Sequence, residues 1–452
     1  AVAGSLGDKL GRVKVFKTGI LIFTISSLLC GISPDIHYLI IFRTLQGIGG
    51  SLMIPGSLSI ISAVFSKDEK GKAIGTWSAA TTIVMICGPV LGGALADAGF
   101  WRYIFYINIP LGIFAFFVLH FKVPESLEPG ASKIDWTGAI LLILSLTLLT
   151  FGFLEMPELG FSNIIVLASL AVGTCLFVAF LFVENKVAEP MIPLSLFKNK
   201  VFSGVNLLSF FLYAGLGGMM LFLSLNLIQI QGYSQLQAGI TFLPFSFMMV
   251  VMGRKMGSLT DKYGPERFLM SGPLLAAAGM IGLAMIGKTA GPSDYWTTYF
   301  PWFVLFAFGM SVTVVPLTTL VMSSVADNQS GIASGINNSV TRIAGTFINA
   351  LLGAFAIYLF SGFVSGGIST LALSESLVEM TMAEAVNLGE ATAGNSFPAE
   401  VREVINETYD SSFLQTYKLV GLFSGALAIL AAVIAFITLR KDKTGLKNTT
   451  GA

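Results

Sequence analysis

Charge is what this sequence has least of. Asp, Glu, Lys and Arg make up 11% of its 452 residues, less than half the roughly 25% of an average soluble domain. Most of the chain therefore has no solvated face to offer, and no nucleic-acid partner is expected. Cysteine and histidine are also scarce, at three and two residues. Cys30, Cys87 and Cys175 fall inside apolar runs, so they are expected to be small buried hydrophobes rather than disulfide partners or metal ligands. His37 and His120 sit at the ends of such runs and receive no role. No metal or cofactor is expected. No cleavable signal peptide is visible and the chain has no initiator Met. Acid is missing where it would matter most: all 25 Asp and Glu fall in connectors or at the edges of apolar runs. Asp97, Glu155 and Glu184 come closest to an interior.

Apolar residues fill the space instead. They make up 54% of the chain, and the mean hydropathy is +0.80. A helix needs about 20 mainly apolar residues to cross a bilayer, and the chain supplies such runs repeatedly. The runs are continuous rather than alternating, which predicts helices and not a barrel. About twelve spans are expected, near 16–32, 37–65, 73–96, 103–121, 136–154, 162–183, 201–227, 238–253, 267–287, 299–325, 332–360 and 413–438. Polar connectors at 122–135 and 184–200 carry the breakers Pro124, Pro129, Gly130, Pro190 and Pro193. The expected organisation is an N-terminal bundle (1–121), connectors with two inserted spans (122–200) and a C-terminal six-span bundle (201–440). That last bundle contains an acidic outer loop (361–412), whose apolar spacing predicts short amphipathic helices, and a tail (441–452) follows it.

One charged turn occurs twice. Gly4-Ser-Leu-Gly-Asp8-Lys-Leu-Gly11-Arg12 returns as Gly257-Ser-Leu-Thr-Asp261-Lys-Tyr-Gly264. With the Asp8 turn on the cytoplasmic side and the spans alternating, twenty of the 26 basic residues fall on that side, as the positive-inside rule requires. Both turns and both chain ends are then cytoplasmic, in a multi-pass protein of the inner membrane. Two equivalent halves, each with its turn after a second span, imply a parent with two further spans ahead of this chain and about 14 in all.

Several stretches carry a family resemblance. The first turn resembles motif A of the major facilitator superfamily, with Gly4, Leu6, Asp8, Gly11 and Arg12 in place. Leu39-Ile-Ile-Phe-Arg43-Thr-Leu-Gln46-Gly47-Ile-Gly49-Gly50 resembles motif B. Gly88-Pro89-Val-Leu-Gly92-Gly93 resembles the antiporter motif, with Val84 where a further glycine is usual. Trp101-Arg102-Tyr-Ile-Phe-Tyr-Ile-Asn108-Ile-Pro110-Leu-Gly112 resembles the sixth span of the 14-span drug:proton antiporter branch. The resemblance implies an all-α major facilitator fold, two six-helix bundles plus two inserted helices, that exports amphipathic drugs against protons by alternating access. Its energy source would be the proton gradient, with no cofactor.

The resemblance also implies roles. Gly4, Asp8, Gly11 and Arg12, and their repeat Gly257, Asp261 and Gly264, would form gating turns; Asp8 can satisfy free amides at a helix N-terminus. Arg43 and Gln46 would serve proton coupling. A guanidinium inside a span costs at least ~2.5–3.5 kcal/mol, so Arg43 should face the bundle interior and pair. Its coupling carboxylate would lie in the missing first span. Gly88, Pro89, Gly92 and Gly93 would let helices pack backbone to backbone. Asn206, Asn226, Asn337 and Arg342, with Gln229 and Asn338 beside them, could line a substrate path or simply bond between helices. The 37 Phe and 17 Met suit an adaptable apolar pocket. Expected partners are small amphipathic substrates, protons and the lipid bilayer; a periplasmic adaptor is not legible in the chain. A dedicated exporter of one lipid, peptide or siderophore is the alternative. A membrane enzyme would need paired catalytic residues at membrane depth, and no such pattern is present. A sensor has no positive feature.

Overall fold

A computed structural model describes residues 6–7, 10–65, 67–125, 135–188, 190–325, 329–369, 371, 373–395 and 397–439. Regular structure among them is entirely helical. The longer helices are α1 (Arg12–Gly31), α2 (Ile36–Val64), α3 (Lys67–Asp97), α4 (Tyr103–Tyr106), α5 (Asn108–Lys122), α6 (Trp136–Leu159), α7 (Ile164–Lys186) and α8 (Lys200–Leu225). They continue as α9 (Gln235–Thr241), α10 (Leu243–Tyr263), α11 (Pro265–Ala284), α12 (Tyr299–Ser323), α13 (Ser330–Ile368), α14 (Glu375–Glu384) and α15 (Ala399–Leu439). Ten helical stretches among the described residues are long and apolar enough to cross a membrane. The two other predicted spans are helices as well, α2 and α3.

The outward surface explains why so few charges suffice. Phe114, Phe121, Ile164, Phe182 and Phe247 are each 65% exposed or more, far more apolar surface than water tolerates on one molecule. A hydrocarbon solvent makes it favourable. Cys87 and Cys175 belong to this surface: only Cys30 is buried. The expectation of three buried thiols therefore fails at two positions, because in lipid an apolar run does not have to point inward.

Contacts divide the chain into two compact units. The first comprises 1–140, 183–193 and 234–240; the second comprises 141–182, 194–233 and 241–452. In the first unit α1 and α2 cross at Gly19 and Gly49. A Cβ on Gly49 would stand 2.9 Å from the Gly19 carbonyl oxygen, so the motif B glycine lets the two backbones touch. Helix α5 closes on α1 where Gly112 faces Thr24, and Gly31 faces Tyr106.

The second unit has an aromatic core. Tyr299, Phe303, Phe306, Tyr409, Phe413 and Tyr417 are almost completely buried. The hydroxyls are not orphaned: Tyr417 donates to Leu283 O at 3.1 Å and Tyr409 to Thr381 O at 3.0 Å. The acidic loop is shorter than predicted, because α13 runs on to Ile368 and α15 begins at Ala399. Its middle holds α14 and a tighter turn of helix at Ala385–Glu390, as its spacing predicts.

Candidate functional site

The two charged turns share a design. Gly11 (φ 108°) and Gly264 (φ 79°) both take a backbone conformation that favours glycine, and each opens the helix that follows, α1 and α11. A glutamate covers each opening. A Cβ on Gly264 would lie 2.6 Å from Glu266 Oε2, and one on Gly11 would lie 2.8 Å from Glu125 Oε1. Gly4 and Asp8 lie outside the described residues. The carboxylate found at the N-terminus of α1 is Glu125, from the connector after α5: Val13 N–H and Lys14 N–H donate to its two oxygens at 2.9 Å each. Charge and free amides favour each other there. Replacing Glu125 by alanine should lower stability by about 0.5–2 kcal/mol, as loss of a helix cap does, read as the thermal unfolding midpoint in detergent. Arg12 starts α1 and is half-buried; Gly257 and the exposed Asp261 lie in the last two turns of α10.

Arg43 is the centre of a polar chain between α2, α1 and α5. Its Nη1 donates to Gln46 Oε1 at 2.9 Å, and Gln46 Nε2 donates to Ser27 Oγ at 2.9 Å. Asn108 Nδ2 also donates to Ser27 Oγ, at 3.0 Å, and that hydroxyl donates to Phe105 O at 2.9 Å. The guanidinium lies 5.6 Å from the Phe105 ring centroid, close enough for a cation–π contact. Gln46 and Ser27 are buried, at 3% and 0% exposure, whereas Arg43 remains exposed. The spacing of Arg43 and Gln46 predicts their shared face. Sequence reasoning gives no role to Ser27 or Asn108, although an Asn inside an apolar run, as Asn108 is, is a usable signal.

The antiporter motif splits into two parts. Gly93 packs directly on the Gln235 carbonyl, a Cβ there standing 2.9 Å from Leu236 Cα, and the Pro89 carbonyl abuts Gly239. A Cβ at Gly88 or Gly92 meets nothing within 4 Å among the described residues. So Pro89 and Gly93 face α9, and Gly88 and Gly92 do not.

One turn past Gly93, Asp97 ties the same seam with hydrogen bonds. Gln235 N–H donates to Oδ1 at 2.7 Å; Leu236 N–H and Ser234 Oγ–H donate to Oδ2 at 2.9 and 2.6 Å. The Ser234 hydroxyl first, and then the backbone amides, hold its carboxyl below the usual carboxylate range. The clasp is thus complete at neutral pH and is lost only as pH falls through that depressed value, below the range in which carboxylates ordinarily titrate. Amide exchange at Gln235 and Leu236, corrected for intrinsic rates, should stay slow through the ordinary carboxylate range and quicken only below it. Unchanged protection at lower pH would rule the carboxylate out as the clasp.

The second-half asparagines are mostly satisfied by one another. Asn337 Nδ2 donates to Asn206 Oδ1 at 3.1 Å and to Ser209 Oγ at 2.7 Å, joining α13 to α8. Asn226 opens a wider, π-type turn that ends the α8 stretch, and donates to Tyr299 Oη at 2.9 Å. Its Oδ1 is buried without a partner, as are Asn349 Oδ1 and Ser424 Oγ. Gln229 donates to Glu390 at 3.1 Å. Arg342 is exposed on α13. Of the four predicted lining residues, Asn226 keeps an open acceptor, whereas Asn206 and Asn337 act as interhelical bonds. Among the described residues no cluster of three or more His, Cys, Asp or Glu could hold a metal ion.

Comparison with known proteins identifies the family. The sequence profile of the Major Facilitator Superfamily matches residues 1–349. The chain is 27% identical over 447 residues to the tetracenomycin C resistance and export protein of Streptomyces glaucescens, covering 97% of this chain and 82% of that one. It is 31% identical over 356 residues to the multidrug resistance protein Stp of Mycobacterium tuberculosis, covering 78% of this chain and 65% of that one. In fold it is similar to an auto-inhibited POT-family peptide transporter, with TM-score 0.62 and 14% identity, covering 97% of this chain and 84% of that one. The profile covers most of the chain, its helices follow that fold, and the chain belongs to the major facilitator superfamily: a membrane-embedded secondary transporter, not an enzyme.

Proposed function

We propose that the chain exports amphipathic, lipophilic compounds across a bacterial cytoplasmic membrane in exchange for protons, by alternating access. The observation that carries this reading is the network around Arg43. A guanidinium keeps its proton at any physiological pH and has five donors; Gln46 takes one of them. Charge of this kind at membrane depth asks for an anion. A carboxylate that pairs with Arg43 when ionised, and releases it when protonated, would couple proton binding to helix position. The α3–α9 seam, backbone-close at Gly93, is the second part of the reading. It forms a contact that rocking would open and re-form. The expected division into two bundles around an inserted helix pair, with both chain ends cytoplasmic, belongs to the same proposal.

The substrate class rests on relatives named for multidrug resistance or multidrug transport. A relative named for export of one antibiotic favours a second reading, a dedicated exporter. Reconstitution separates the two. With the protein in liposomes and a proton gradient imposed, internal pH is followed while a panel of lipophilic cations is added. Polyspecific antiport predicts proton flux with several chemically unrelated compounds. Flux with a single compound supports the dedicated exporter, and no flux with any, in protein shown to be folded, sinks the polyspecific reading and favours the dedicated exporter.

A further inference from the structure

The inserted helix pair carries two acids that the transport reading does not use. Asp135 caps α6: its Oδ1 accepts the Gly138 N–H at 2.8 Å, and its Oδ2 is buried with no hydrogen-bond partner. Glu184, near the end of α7, is 2% exposed. Its Oε2 accepts the Ile192 N–H at 3.1 Å, and its Oε1 is buried with no partner. The two unpartnered oxygens meet over one glycine. A Cβ on Gly138 would collide with Asp135 Oδ2 and stand 2.9 Å from Glu184 Oε1. Glycine at this position keeps that space open.

A buried carboxylate beside a half-buried one repels it, and each unpartnered oxygen, itself buried, forgoes the hydrogen bonds it had in water. A single proton between them removes one of the two charges and gives both oxygens a partner in a charge-assisted O–H···O bond. We propose that Asp135 and Glu184 bind one proton between Asp135 Oδ2 and Glu184 Oε1, as a carboxyl–carboxylate pair joining the start of α6 to the end of α7. The proton comes from solvent and returns to it, leaving two anions when the site is empty. Among the described residues Asp135 is the ionisable group that acts on Glu184, with the Met191 and Ile192 backbone amides on its other side. Lys186, two residues on along α7, is exposed. Loss of the proton sets two anions against each other where α6, α7 and the Met191–Ile192 backbone meet, so occupancy governs how firmly that junction is closed.

Infrared difference spectra of the protein in lipid nanodiscs at neutral pH, wild type minus variant, test this. The expected result is the C=O band of a protonated carboxyl, sensitive to deuterium exchange, present in the wild type and lost in both Glu184→Gln and Asp135→Asn. Both variants keep the oxygen that accepts the backbone N–H, and the new amide donates across the pair, so each holds the junction together. Absence of the band in the wild type, or its persistence in both variants, overturns the proposal. So does a rise in thermal stability on adding sodium or calcium ions that wild type shows and Glu184→Gln lacks, since a metal cation would then fill the space. The spectra are taken on resting protein and do not depend on any transport activity.

Discussion

Gly93→Leu should cut export of a lipophilic cation by roughly 5- to 150-fold while leaving the protein folded in the membrane. Gly93 has no room for a side chain, because its Cα rests on the Gln235–Leu236 backbone and the neighbouring Pro89 carbonyl rests on Gly239. Forcing extra carbons into such a contact costs about 1–3 kcal/mol. That is enough to move a balance between two transporter states by roughly 5- to 150-fold. Asp97 amplifies the effect, since its three hydrogen bonds to residues 234–236 form only when α3 and α9 are close. The control lies within the same motif. A Cβ at Gly88 or Gly92 meets nothing within 4 Å among the described residues, so Gly88→Leu and Gly92→Leu should each keep export within about threefold of wild type. Efflux rates in proteoliposomes, normalised to folded protein, decide it. If Gly88→Leu is as damaging as Gly93→Leu, the seam is not where the motif acts.

Arg43→Ala should abolish drug-driven proton flux, to the level of empty liposomes, without loss of folded protein. The two halves of that expectation have separate causes. A guanidinium in a span costs at least ~2.5–3.5 kcal/mol on insertion scales, so alanine relieves a burden and insertion should not suffer. Gln46 loses its partner on Arg43 but keeps its bond to Ser27, and Ser27 keeps Asn108, so α1, α2 and α5 stay tied. What disappears is the fixed positive charge that a titrating carboxylate would answer. Arg43→Lys keeps the charge but not the planar fork, and should retain a fraction of the flux. Wild-type flux in Arg43→Ala would remove the residue from the coupling machinery.

Parts of the site are legible in the amino-acid sequence alone. The pairing of Arg43 with Gln46 follows from three-residue spacing on a helix, and the likeness of the two charged turns from their repeated glycines, both of which open a helix at positive φ. Other parts are not legible there. Nothing within the first turn indicates that Glu125, more than a hundred residues away, supplies the carboxylate at Val13 and Lys14. Residues 88, 92 and 93 are all glycine, so composition cannot tell the one whose Cβ would meet a neighbour from the two whose Cβ would meet none among the described residues. Asn206 and Asn337 read equally as polar lining or as interhelical bonds, and only the structure shows them bonded to each other.

By itself the sequence determined the solvent and the secondary structure. Those follow from local quantities: about 20 apolar residues make a span, and the need for internal hydrogen bonding in lipid makes that span a helix. Tertiary structure alone decided which thiols are buried, which motif glycine forms the α3–α9 seam, which acid caps which helix, and that Asp135 and Glu184 share a space. In lipid an apolar side chain is equally at home facing hydrocarbon or a neighbouring helix, so hydropathy carries no information about inside and outside. That choice is made by close fit at small residues and by the few polar groups that must find one another.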